Sequence, residues 1–425
     1  MTFRSIGCAV TGCLISVGLL TAAGCIPSRT RTGGLFAQDP TPVPVVRVRL
    51  PHADSLLTLT PGGRFILRLY RDASGDATIY SSEERLRIQF AADGITVSTG
   101  DDLLLGRGVS GLSIHTTDAG DKLTINDKPY YGTLIFGWSK DREPLVVNRL
   151  NLDTYLTGVL TPELGERSAD EFEAVKAQSV ASRTYALAHL GQYGRAPYDL
   201  RADVGDQVYV GASQPRDWVR RAVAATHGEV LATDGQLIDA YYHSTCGGRT
   251  DAVEDVWDAV PRPYLVSAPD DTFCQWSRYS EWTERFDLAT LLANLNAYRE
   301  QLPAPPVDEL KEITDIRFEN QTPGGRVEIM TVITPHSEWT ICADQIRWAL
   351  GRPSRPGSIL PSGRFRLTLE RDGEGRIIRA EATGSGYGHG VGMCQCGMIG
   401  RARAGHDYRS ILAAYYKGAH LRRIY

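Results

Sequence analysis

Two short stretches hold most of the residues in this chain that could do chemistry. "GYGHGVGMCQCG" (Gly386–Gly397) sets His389, Cys394, Gln395 and Cys396 among five glycines, and "HSTCGG" offers His243, Ser244 and Cys246 ahead of Gly247 and Gly248. Imidazole, thiol and amide groups this close suit metal ligation, a nucleophile, or hydrogen bonding to a sugar. The glycines imply a backbone that turns through positive φ or lies close against something. Cys394-Gln-Cys396 lacks the C-x-x-C spacing of redox helices and zinc knuckles, so the choice rests on the rest of the chain.

Beyond Cys25, five cysteines follow: Cys246, Cys274, Cys342, Cys394 and Cys396. An oxidising compartment permits disulfides, but an odd count leaves one thiol unpaired or several shared by a metal. One arrangement is a structural zinc on Cys246, Cys274 and Cys394, with His243 or His389 as the fourth ligand. Its rival is a Cys246–Cys274 disulfide, with Cys342 simply buried on another element. A thiol hydrolase built on Cys246 with His243 or His389 lacks the helix N-terminus that usually activates such a thiol.

The 425 residues suffice for two or three units, and 42% hydrophobic with 23% charged residues is a globular composition. A net charge of -4 gives no basic footprint, which argues against a nucleic-acid partner. After Arg4 an apolar run from Ile6 to Ala23 ends in "LLTAAGC", a secretory signal (residues 1–25) whose final Cys25 resembles a lipidated lipobox cysteine. Residues 26–44, with four prolines, read as a tether from a membrane anchor to the folded part.

These residues need elements to position them. Residues 45–144 alternate at period two ("VVRVRL", "RFILRLY", "RLRIQF") between glycine and aspartate clusters, which predicts a β-rich region of short antiparallel strands. A mixed region follows over 145–425, so the fold class is α+β. Ser168 and Glu171 form a capping box that predicts a helix from about Ala169 to Leu190, closed by Gly191. Ala174, Ala177, Ala181 and Ala188 make a small-residue stripe on it, and apolar residues on most other sides predict a buried helix. Lys176 and Arg183, two turns apart, either snorkel to an edge or face a polar cleft. Gln178 and Tyr185 form a second such pair, suited to core hydrogen bonds or to the same cleft. Further on, a hairpin is expected at Asp234-Gly235, helices over 287–310 and "ADQIRWALG", and a last helix capped by Asp407 and stopped by Gly418.

"TPELGERSADEFEAVKAQSVASRTYAL", "YYHSTCGGRTDAVEDVW" and "GYGHGVGMCQCGMIGRARAGHDYRSILAAYYKG" together resemble the stage II sporulation protein D (SpoIID)/LytB family in order and spacing, over roughly 145–425. The resemblance implies an extracytoplasmic enzyme of peptidoglycan, a lytic transglycosylase needing no cofactor, or a non-catalytic enhancer of a cell-wall amidase. The family's catalytic glutamate corresponds to Glu163. Its zinc site after the helix is not matched, since only His189 stands there. On this reading Lys176, Gln178, Arg183, Tyr185, His243, Ser244, Gly247, Gly248, His389 and Gln395 line the substrate cleft, with the glycines carrying the sugar chain on bare backbone. A proton-donating Glu163 must titrate above the ordinary value of about 4.3. Leu160, Pro162 and Leu164 would supply the desolvation, and neither Lys176 nor Arg183 can pair with it directly.

Overall fold

The computed structural model describes residues 42–51, 54–71, 77–213 and 216–425; the leader, Cys25 and most of the tether lie outside these. The fold is α+β. The expected period-two segments form two sheets. Val45–Arg49, Phe65–Tyr70, Ala77–Ser82, Gly111–Thr116, Thr133–Trp138 and Pro144–Asn151 join Leu200–Arg201 in a seven-stranded sheet, antiparallel except where Leu200–Arg201 runs alongside Val45–Arg49. Leu56–Pro61, Leu86–Ala91, Gly94–Thr99, Leu104–Val109, Leu123–Ile125 and Lys128–Tyr130 form a six-stranded antiparallel sheet. Alternate residues such as Phe65, Leu67 and Leu69 on the first sheet and Leu86, Ile88 and Phe90 on the second belong to one hydrophobic cluster. The inner faces therefore pack on each other, as period-two burial requires.

The same core continues into the helices. Helix α1 (Leu152–Leu164) starts at an Asn151 cap whose side chain accepts the Thr154 N–H at 2.8 Å, and it buries Leu152, Tyr155, Leu156, Val159 and Leu160. The capping box at Ser168 and Glu171 is present, on a 3₁₀ turn (Ala169–Glu171) that leads into α2 (Phe172–Ala188). Helix α2 is buried on nearly every side by α1, by α3 (Asp217–Ala225), by the strand Glu229–Thr233, and by two later helices. Its alanine stripe allows that crowding. The hairpin turns at Asp234 and Gly235, both at positive φ. A short α4 (Val253–Val256) follows.

Within the 145–425 stretch a second hydrophobic core gathers residues from Trp282 to Ala382. Here α5 (Leu288–Glu300), capped by Asp287, and α6 (Gln345–Leu350) accompany two three-stranded sheets. Cys342 ends the strand Glu338–Cys342, buried and far along the chain from the other cysteines. This unit docks on the first core through buried polar contacts. Arg326 pairs with Asp251 and donates to the Cys246 carbonyl at 3.1 Å, while Arg364 donates to the Gly247 carbonyl. The chain then returns to the first core with α7 (Gln395–Arg403) and α8 (Tyr408–Tyr415), the latter capped by Asp407, which accepts the Ser410 N–H at 2.8 Å.

Candidate active site

Glu163 occupies the last turn of α1, one residue after Pro162. Its carboxyl is half-buried and accepts three hydrogen bonds: from Gln395 Nε2 at 3.1 Å on one oxygen, and from the Val208 N–H at 3.3 Å and the Tyr242 hydroxyl at 3.5 Å on the other. Burial pushes Glu163 up from the ordinary carboxylate range, with these three donors acting against it. All three are neutral. Burial also raises Tyr242 far above its usual value, so it remains a phenol.

A buried amide network holds these donors. Gln395 Nε2 also reaches Gln178 Oε1 at 3.5 Å, and Gln178 donates to Ser182 at 3.0 Å. Gln207 Nε2 donates to the Tyr242 oxygen at 3.0 Å while its own oxygen accepts from Tyr155 at 3.1 Å. Gln178 and Gln395 were expected at the site and lie there. Val208, Gln207 and Tyr242 were not expected. "VGDQVYV" carries no spacing signal, and Tyr242 stood in view as the residue beside His243.

Other expected site residues lie elsewhere. Arg183 is not in a cleft: it is 0% exposed, with Nε donating to the Tyr425 hydroxyl at 2.9 Å, Nη2 to Asp153 at 3.2 Å and Nη1 to the Glu229 carbonyl at 3.2 Å. A buried guanidinium needs such a cage. Lys176 pairs with Glu173 and lies over the Tyr408 ring. Tyr185 donates to Asp206 at 3.1 Å and stacks on His189. No cation therefore contacts Glu163 among the described residues.

The two glycine-rich stretches do face each other. Tyr242–His243 runs parallel to Met393–Cys394, and Thr245 bridges Tyr387. Strand alternation turns Tyr242 toward Glu163 and His243 to the opposite side. There His243 Nδ1 donates to the Val391 carbonyl at 3.2 Å. His389 accepts the Val391 N–H on Nδ1 at 3.0 Å, so its Nε2 carries the proton and donates to the Tyr242 carbonyl at 3.0 Å. Burial holds both imidazoles neutral, His389 down to about 4. Both serve the backbone instead of contacting Glu163. The half-buried Ser244 packs its hydroxyl against Thr245, and its carbonyl accepts the Cys396 N–H at 2.9 Å. The glycines prove to be for internal close approach: a Cβ on Gly390 would stand 2.1 Å from the Arg326 guanidinium carbon, and one on Gly392 2.1 Å from the Tyr241 carbonyl.

Beneath this pairing Cys246, Cys274 and Cys394 converge, as the zinc arrangement requires, but the fourth group is Asp270 and not a histidine. His389 has both ring nitrogens on backbone partners, and His243 has Nδ1 on the Val391 carbonyl and a buried Nε2 without a hydrogen-bond partner among the described residues; neither belongs to the cluster. Gly247 and Gly248, at φ 80 and 109, turn their N–H groups toward sulfur instead of forming a sugar-binding lip. Hydrogen bonds from Cys246 and Cys394 push the Cys274 thiol down. Cys246 is pushed up by its hydrogen bond to Cys274, and Cys394 by burial. Burial raises Asp270 to about 6.

With this geometry in hand, comparison with known proteins gives two family matches. The family described as "Stage II sporulation protein" matches residues 140–232, which carry α1, α2 and α3. A domain of unknown function (DUF8618) matches 274–392, enclosing the second core. An uncharacterized protein of Brachyspira hyodysenteriae is 33% identical over 306 residues, covering 70% of this chain and 73% of that protein. The amidase enhancer of Bacillus subtilis is 29% identical over 331 residues, 71% of this chain and 45% of that longer protein. Stage II sporulation protein D of Bacillus amyloliquefaciens is 27% identical over 290 residues, 64% of this chain and 74% of that protein. The motifs, their convergence around Glu163 and these matches agree: the chain belongs to the stage II sporulation protein D family.

Proposed function

We propose that this protein works on the bacterial cell wall, cleaving peptidoglycan glycan strands as a lytic transglycosylase with Glu163 as both acid and base. The observation that carries this reading is that Glu163 is half-buried with no cation against it among the described residues, so that burial, opposed only by three neutral donors, favours the protonated form a glycosidic acid needs. Protonated Glu163 delivers its proton to the bridging oxygen as the glycosidic bond breaks. The sugar's own C6 hydroxyl attacks the anomeric carbon and returns its proton to the Glu163 carboxylate, leaving a 1,6-anhydro end and a recharged acid. A single carboxyl suffices because no water has to be activated, in contrast to the paired carboxylates of glycoside hydrolysis. Gln395 and Tyr242 orient the carboxyl and stabilise its transient charge. No cofactor takes part. We place the protein in the cell envelope, anchored to a membrane by lipid at Cys25.

A second reading, favoured by the match to the amidase enhancer over 71% of this chain, is a non-catalytic protein that stimulates a cell-wall amidase. Product analysis separates the two. Glycan strands, intact or stripped of stem peptides, incubated with the purified protein should yield 1,6-anhydro-ended fragments by mass spectrometry. Ordinary reducing ends would indicate a hydrolase, and unaltered strands together with accelerated amidase turnover would indicate the enhancer.

A further inference from the structure

We infer that Cys246, Cys274, Cys394 and Asp270 form a structural zinc site that clamps three distant chain segments beneath Glu163. The three Sγ atoms and a carboxylate oxygen all lie within 4.8 Å of one another. Cys246 Sγ stands 3.6 Å from Cys274 Sγ and 3.2 Å from Asp270 Oδ2. Tetrahedral zinc with bonds of about 2.3 Å to sulfur sets sulfurs roughly 3.8 Å apart. A disulfide would draw two of them to about 2.05 Å. All four side chains are at most 1% exposed. Four ionisable groups gathered out of reach of water are costly unless a cation joins them.

The surroundings supply what a buried, thiolate-rich centre needs. Cys394 Sγ accepts N–H groups from Cys246 and Gly397, each at 3.2 Å, and Cys246 Sγ accepts the Gly248 N–H at 3.3 Å. Asp270 turns Oδ2 to the sulfurs while Oδ1 accepts from the Tyr415 hydroxyl and from Arg401 at 3.4 Å, which fixes the carboxylate and offsets excess negative charge. Gly397 is required here: a Cβ would lie 2.0 Å from Asp270 Oδ2 and 2.3 Å from the Tyr415 oxygen. Binding zinc displaces the remaining thiol protons to solvent and changes no oxidation state. The clamp reaches the Glu163 partners through the chain, since Gln395 directly follows Cys394 and Tyr242 lies four residues before Cys246.

The test uses the full chain, purified without added metal or chelator and analysed by mass spectrometry for metals and by thiol peptide mapping. About one zinc per chain is expected. After extraction under reducing conditions, one equivalent of cobalt(II) should give the intense sulfur-to-metal charge-transfer and ligand-field bands of a tetrahedral thiolate site. Cys394→Ser should lose stoichiometric metal and Asp270→Asn should weaken zinc at least 10-fold in competition with a chelator, a ligand being worth no less than its outer-shell partners. Cys396→Ser, outside the cluster, should bind as the parent does. Should Cys394→Ser fail to fold, the cobalt spectrum of the unmodified chain still decides. A reduced chain that takes up neither zinc nor cobalt overturns the inference, as does a Cys246–Cys274 disulfide in the native protein. Neither readout depends on glycan cleavage, so this site and the transglycosylase reading can fail separately.

Discussion

Burial raises Glu163 above the ordinary carboxylate range against three neutral donors, and among the described residues no cation touches it to reverse that shift. Arg167, Lys176 and Arg183, the cations that follow Glu163 most closely in sequence, are engaged elsewhere, with Glu171, Glu173 and Asp153. Arg183 was misread because its partners Asp153, Glu229 and Tyr425 lie 30, 46 and 242 residues away, and no helical spacing can announce such contacts. Asp270 escaped the sequence reading for the same reason: in "SAPDD" it is one more loop aspartate until folding brings it to three sulfurs. Gln395, in contrast, was legible, since a polar amide inside a glycine-rich motif has few structural uses. It is the strongest of the three donors opposing the upward shift of Glu163. On the proposed mechanism the acid form is the active form at the first step, which predicts activity that is full below the pKa of Glu163 and falls as pH rises through it. Gln395→Met removes a donor to the ionised form and should move that alkaline limb to higher pH. A hydrogen bond worth about 0.5–1.5 kcal/mol corresponds to roughly 0.4–1 pH unit. A pH–rate profile of kcat/KM checks this, and a limb that stays put or moves down would separate Gln395 from the titration.

At the scale of elements, the helices with conventional ends were readable and the one that carries the acid was not. Ser168 with Glu171, Asp287 and Asp407 each announce a helix start that the structure contains. Helix α1 holds both Gly158 and Pro162, residues that ordinarily argue against a helix, although Asn151 and the Leu152, Tyr155, Leu156, Val159, Leu160 periodicity offered a cap and a face. Packing overrides propensity here. A Cβ on Gly158 would stand 2.5 Å from both the Gly211 carbonyl and the Tyr209 ring, so the glycine lets α1 press against the segment whose Val208 N–H meets Glu163. Alanine in a helix is intrinsically better than glycine by about 1 kcal/mol. Overpacking costs about 1–3 kcal/mol. Gly158→Ala should therefore come out net destabilised in chemical denaturation, with weakened turnover. A stabilised variant would mean that α1 has room to spare and that this contact does not set the position of Glu163.

On the scale of the whole molecule, period-two patterning made the N-terminal sheets legible. The second core was hidden inside a stretch that reads as continuous, because its strands and helices carry ordinary amphipathic patterns and only three-dimensional contact shows which core each one joins. The two cores meet at a buried ion pair. Asp251 is 0% exposed and has Arg326 and the Gly324 N–H as partners. Arg326→Met strands that carboxylate and should cost about 3–5 kcal/mol, whereas Arg326→Met with Asp251→Leu should recover most of the loss. Equilibrium unfolding of the single and double variants measures the difference, and equal losses in both would deny the pair a role in docking. The proposed function rests on the behaviour of one carboxyl group toward a glycan strand. The most direct measurement is the turnover of Glu163→Gln on purified strands beside a binding assay on the same strands. The amide keeps the shape and removes the acid, so release of 1,6-anhydro ends should fall by roughly 10²- to 10⁴-fold with strand binding retained. Turnover within a few-fold of the parent protein would contradict the account and remove Glu163 from the mechanism.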